Sequence, residues 1–165
     1  TLINELKDTG FLVVEEDARK IIQQQMLNGS DALPWKNKTL YAQLMLEASV
    51  SSYQVIKEMQ VSKPVFFDRG ILDAICYMNM ENIPITSVMK AMAIAHSYAS
   101  KVFILQPWKE IYQTDNERKQ TWEEAVFTFE KMKETYLGYG YEVIEVPKAT
   151  VGLRRAFIEK EIETF

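Results

Sequence analysis

The chain has 165 residues, 47% of them hydrophobic and 25% charged, with a net charge of -4, enough for one soluble domain with a proper core. That mild acidity argues against broad binding to nucleic acid, which needs a basic surface. The single cysteine, Cys76, excludes an internal disulfide, no apolar run reaches bilayer length and no signal-peptide pattern opens the chain, so a cytoplasmic protein without membrane insertion is expected.

Leu2, Ile3 and Leu6 have helical spacing, with Gly10 as the stop. Phe11-Leu12-Val13-Val14 reads as a short buried strand ending at Glu15 and Glu16. Residues 17–27 predict a helix with Ala18, Ile21, Ile22 and Met26 on its inner side, ended by Asn28-Gly29. A loop carrying Pro34 and Trp35 leads to a long helix over 39–59, whose apolar positions are Leu40, Leu44, Ala48, Val55 and Ile56. A second strand over 65–68 follows Pro64, and Gly70 opens a helix through Ile71, Leu72, Ile75 and Tyr77. Thr86 is a good N-cap for a helix over 88–98. Val102-Phe103-Ile104-Leu105 is a third strand, closed by Gln106-Pro107. Residues 112–121 are polar and charged without core periodicity, 122–137 are amphipathic, 143–146 form the last strand and 151–162 a closing helix. Strands alternating with helices predict an α/β fold with a mainly parallel sheet.

Val65-Phe66-Phe67-Asp68-Arg69-Gly70 is the most informative stretch. An apolar β-type run bounded by turn residues reads as a strand buried on both faces. Asp68 at its carboxyl end lies where open α/β sheets bind ligands. There it can hold Mg²⁺ or orient an attacking hydroxyl, or cap the helix that starts near Gly70. Arg69 can neutralise a phosphate or pair with a nearby acid. Asp73 can bind substrate or stabilise the positive end of the helix. His96 is the sole histidine and Cys76 the sole cysteine, so no zinc site can be assembled from them. His96 reads as a packed or surface helix residue and Cys76 as a small buried hydrophobe. Trp35, Trp108 and Trp122 are expected mostly in the interior.

Together the motifs resemble the kinase-like branch of the P-loop NTPases, and in particular the small bacterial AAA-type ATPase-domain proteins related to nicotinamide riboside kinases. Residues 1–7 with Gly10-Phe11 look like the helix that follows that family's phosphate loop. Glu15-Glu16-Asp17-Ala18-Arg19 resembles its acidic block after the second strand, and Val65 to Asp73 its Phe-Phe-Asp-Arg-Gly-x-x-Asp segment. Trp108, Tyr112, Asp115 and Arg118, with Thr121-Trp122-Glu123-Glu124-Ala125, resemble its lid and following helix.

The resemblance implies a three-layer P-loop fold over 1–165 with a lid-like segment at 108–121. It implies Mg²⁺-dependent binding of ATP or GTP, with phosphoryl transfer or hydrolysis. Asp68 would serve the metal or the nucleophile, and Arg118 would close with the lid over the transferring phosphoryl group. Thr1 and Trp108 would adjoin the nucleotide. Glu15, Glu16, Arg19, Arg69 and Asp73 would face an unidentified small-molecule acceptor.

One element of the pattern is missing: residues 1–165 contain no Gly-x-x-x-x-Gly-Lys-Ser/Thr loop. The family's first strand lies between the strands matching 65–68 and 102–105. Its removal would leave two rows of backbone groups unpaired at about 1–3 kcal/mol each, against a usual net stability of roughly 5–15 kcal/mol. An upstream strand and phosphate loop are therefore expected before Thr1, and nucleotide affinity is expected to be poor without them. Three functions stay open: a small-molecule kinase, a slowly hydrolysing nucleotide switch, and a catalytically inactive α/β binding or regulatory module.

Overall fold

The computed structural model describes residues 1–111 and 120–164. Its elements follow in the order α1 (Leu2–Asp8), β1 (Leu12–Val14), α2 (Ala18–Leu27), α3 (Lys38–Glu58), β2 (Val65–Phe67), α4 (Ile71–Met80), α5 (Ser87–Ala95), β3 (Lys101–Leu105), α6 (Trp122–Gly138), β4 (Glu142–Val146) and α7 (Val151–Ile162). A 3₁₀ turn occupies Lys109–Ile111. The α/β reading holds, and both pairings among the described strands are parallel. The described strands form two separate two-stranded sheets, β1-β2 and β3-β4.

The chain divides into two compact units, Leu6–Tyr98 and Thr1–Glu5 with Ala99–Phe165. In the first, β1 and β2 pair in the register Leu12↔Val65, Val13↔Phe66 and Val14↔Phe67. The ladder carries one bond further, because the Asp68 amide donates to the Val14 carbonyl at 2.8 Å. Phe11 meets Phe66 edge to face, with centroids 5.1 Å apart. The core of this unit is helical. α4 is apolar nearly all round and buries Ile71, Leu72, Ala74, Ile75, Cys76 and Met78, as expected for a helix covered on several sides. α3 packs against it.

The face that α3 buries corrects the sequence-based expectation. Tyr41, Ala42, Leu46 and Val50 are buried, whereas Leu40 and Val55 are 40% and 54% exposed. Positions 40, 44 and 48 stand two residues, or roughly 200°, from 42, 46 and 50 around a helix. Both stripes carry apolar residues at helical spacing, and the neighbour decides between them. Met26, assigned to the inner side of α2, is exposed, and Ile21 alone is buried there. Trp35, expected inside, is 61% exposed.

α5 stops at Ala95, short of the expected end. His96 closes the helix, its amide and its Nδ1 both directed to the Met92 carbonyl, and its Nε2 lies 3.3 Å from Gln54 Nε2. Both ring nitrogens are thus engaged by protein. The chain that follows is held by distant partners: the Tyr53 hydroxyl donates to the Ser97 carbonyl at 2.8 Å, and the Tyr98 ring packs on Phe67 and Tyr53.

In the second unit β3 and β4 pair from Lys101↔Glu142 to Leu105↔Val146, and Val146 is buried. Thr121 and Glu124 form a reciprocal cap at the start of α6, each side chain accepting from the other's amide. Thr150 caps α7, and Arg155 of α7 pairs with Glu5 at 3.4 Å. Among the described residues, no helix is long and apolar enough to cross a membrane.

Candidate functional site

Because β1 and β2 run parallel, their carboxyl ends lie at the same sheet edge. β1 runs out into Glu15-Glu16-Asp17, and β2 into Asp68-Arg69-Gly70. This places the sequence-derived acids side by side in one unit.

Arg69 adopts φ +85°, a left-handed backbone that is uncommon for a residue with a side chain. Its guanidinium lies 3.4 Å from Asp73 Oδ1 and 4.0 Å from Glu16 Oε1. The negative charge of Asp73 above all, then those of Glu16 and Asp68, raises the Arg69 pKa against the opposing effect of desolvation. The acid-pairing alternative for Arg69 is therefore the one realised. The side chain is about half exposed, so these pairs orient it more than they stabilise the fold.

Asp73 also performs the helix-start role. Its Oδ2 accepts from the Gly70 amide at 2.8 Å, and the Tyr98 hydroxyl accepts from the Ile71 amide at 3.1 Å. The first amides of α4 are thus taken by protein groups. Gly70 has an extended backbone open to any residue, and a Cβ there would come within 3.1 Å of the Tyr98 ring, which would have to give by a few tenths of an ångström.

Asp68 stands apart from its neighbours. The start of α4 is capped by Asp73 and by the Tyr98 hydroxyl, and the Asp68 carboxylate makes no hydrogen bond or ion pair with the described residues. The capping alternative for Asp68 is not realised. Asp17 instead accepts from the Ser52 hydroxyl at 3.1 Å, and Glu15 pairs with Lys7 at 3.3 Å. Arg19 is exposed in the first turn of α2.

Thr1, in the other unit, accepts weakly from the Asn4 amide at 3.4 Å and so begins α1. Trp108 is half-buried just before the 3₁₀ turn. Arg118 and most of the lid-like segment 108–121 lie outside the described residues. Among the described residues, no group of three or more His, Cys, Asp or Glu side chains could hold a metal ion.

Two residues that the sequence did not single out meet between α3 and α4. Tyr41 of α3 and Tyr77 of α4 meet edge to face, with centroids 5.7 Å apart at 84°. The one available signal was the spacing of four between Asp73 and Tyr77, which puts both on one face of α4. Burial and then the charge of Glu16 raise the Tyr41 pKa. Burial, followed by Glu81 and Tyr41, pushes Tyr77 up to about 12. A phenol whose folded pKa exceeds its unfolded value of about 10 contributes stability that is complete below pH 10 and lost as the pH rises through the folded value. Tyr77→Phe is therefore expected to remove part of the fall in stability between about pH 10 and 12. Urea melts across that window check this, and an unchanged alkaline slope would contradict it.

Against this geometry stands one comparison: a family model described as AAA domain matches residues 1–154. The chain belongs to the AAA domain family. Membership of an AAA domain family makes nucleotide binding and NTPase-like chemistry the general setting of this site. No curated protein and no solved structure matches the chain.

Proposed function

We propose that this AAA domain binds ATP or GTP with Mg²⁺ and transfers or hydrolyses the terminal phosphoryl group, in the manner of a small-molecule kinase related to nicotinamide riboside kinases. The observation that carries the reading is Asp68. In a chain of the AAA family it sits at the carboxyl end of a parallel strand, its carboxylate uncommitted to any described residue.

The donor set fits magnesium. Mg²⁺ keeps several waters and commonly takes one or two carboxylates together with substrate phosphates, so one free carboxylate suffices where a calcium or zinc cage would need more. Asp68 would hold the ion, which neutralises charge on the terminal phosphate oxygens. Arg118 would add positive charge as the phosphoryl group moves. Glu15, Glu16, Arg19, Arg69 and Asp73 would face the acceptor, and Thr1 and Trp108 the nucleotide.

The test is the melting temperature of the full-length protein with ATP or GTP, with and without Mg²⁺. Ligand at about a hundred times its Kd stabilises a protein by about 2.7 kcal/mol, and a Mg²⁺-dependent rise is expected. Labelled-phosphate transfer to small molecules then separates a kinase from a hydrolase. No shift with either nucleotide would leave the inactive binding module as the better reading.

A further inference from the structure

We propose that Tyr98 is a positioning residue for Asp68. Together with the left-handed backbone of Arg69 it holds the Asp68 carboxylate in one direction, and so makes the site prefer Mg²⁺ to Ca²⁺. This rests on the phosphoryl-transfer reading and names what sets the metal selectivity of that site.

Arg69 is the residue that local structure does not explain. Among the described residues, Gln60, Arg69 and Asn82 have positive φ without being glycine. Gln60 and Asn82 each stand just past the C-cap of a helix, α3 and α4, where a left-handed residue is an ordinary stop. Arg69, at φ +85°, lies instead between a strand and the start of a helix. The glycine comes one place later, at Gly70, where the backbone is extended. A residue with a Cβ has only a narrow left-handed well, whereas glycine has a broad one. Arginine at this position therefore costs stability and fixes the turn more tightly than glycine would. Such outliers persist only where the surroundings over-determine them.

Tyr98 supplies much of that surrounding. Its ring meets Phe67, just before Asp68, with centroids 5.0 Å apart. Its hydroxyl accepts from the Ile71 amide, just after Gly70, at 3.1 Å. Between these two holds, the Asp68 amide is tied to the Val14 carbonyl and the Gly70 amide to Asp73, both at 2.8 Å. Tyr98 is itself braced by Tyr53, whose ring centroid lies 5.3 Å away and whose hydroxyl bonds the Ser97 carbonyl. The backbone of Asp68 is thus gripped on both sides, while its carboxylate bonds to no described residue. Mg²⁺ demands near-ideal octahedral geometry, whereas Ca²⁺ accepts longer and more irregular bonds. A carboxylate held in one direction favours the stricter ion, and a loosened one gives up that advantage.

The experiment is isothermal titration calorimetry on the full-length protein, well below its melting temperature. The probes are non-hydrolysable ATP and GTP analogues, each in excess Mg²⁺ or excess Ca²⁺. Wild type is expected to bind at least one analogue more tightly with Mg²⁺. Tyr98→Phe keeps the ring and loses the bond to Ile71. It should weaken binding of the Mg²⁺ complex about tenfold, the lower end of the usual effect of a residue behind a metal ligand, and of the Ca²⁺ complex less. Arg69→Gly and Arg69→Ala remove the same guanidinium and differ in the backbone they allow. Without ligand, Arg69→Gly should melt roughly 2–4 °C above Arg69→Ala, yet show the smaller preference for Mg²⁺. A purely structural role for Tyr98 would lower the unliganded melting temperature and leave the ratio of Mg²⁺ to Ca²⁺ affinities unchanged, which overturns the proposal. So does a wild type that binds both complexes equally, or an Arg69→Ala with no greater preference than Arg69→Gly. Those results leave the nucleotide reading standing. If wild type binds neither analogue with either ion, both readings fall together.

Discussion

Asp68→Asn is expected to abolish the Mg²⁺-dependent part of the nucleotide-induced rise in melting temperature and to leave the unliganded protein as stable as before. The size of the lost signal follows from mass action. About 2.7 kcal/mol at a hundredfold excess over Kd corresponds to roughly 5–10 °C for a domain of this length. Asparagine keeps the shape of the side chain but removes the charge that a hard divalent cation requires. Because the carboxylate bonds to no described residue, no hydrogen bond or ion pair is lost with it, only its attraction for the half-exposed Arg69 guanidinium. The contrast with Asp73 is diagnostic. Asp73 holds the Gly70 amide and the Arg69 guanidinium, so Asp73→Asn should lower the unliganded melting temperature as well. A Mg²⁺-dependent shift in Asp68→Asn equal to that of wild type would remove Asp68 from the metal site.

Ile75→Ala is expected to cost about 2–5 kcal/mol, the usual range for truncating a buried aliphatic side chain without collapse of the cavity. Ile75 is 1% exposed in the middle of α4, with Ile71, Leu72 and Met78 of the same helix equally enclosed. Against a total of roughly 5–15 kcal/mol this is a large share, and urea melts of the unliganded protein measure it directly. The effect should reach function, because α4 also carries Asp73. Leu153→Ala makes the control: the side chain is mostly exposed, and a surface change should stay within about 0.5 kcal/mol. Equal losses for the two variants would contradict the assignment of α4 to the core.

The helix and strand limits were largely legible, and for a local reason. Thr86, Thr121 and Thr150 each accept from an amide three residues ahead, so the signal and its effect lie within one turn. The run from Val65 to Phe67 likewise announced a parallel strand, and Asp68 its carboxyl end, although the strand is half-buried rather than buried on both faces. Where a helix ends through distant contacts, the reading slipped. α5 stops at Ala95 because Ser97 and Tyr98 are engaged by α3 and by the start of α4. α3 turned a different stripe inward because two faces satisfied the same spacing and only its neighbour could choose between them.

The candidate site divides in the same way. Sequence alone determined the alternation of strands and helices, the acids that follow β1 and β2, and Asp68 as the carboxylate at a strand end, since these depend on neighbours a few positions apart. The tertiary structure decided which acids are spent. It gave Arg69 to Asp73 and Glu16, gave the first amides of α4 to Asp73 and Tyr98, and left Asp68 uncommitted. It also brought Tyr41 against Tyr77, 36 positions away. Such pairings follow from how helices pack over a sheet, and no periodicity within either helix encodes them.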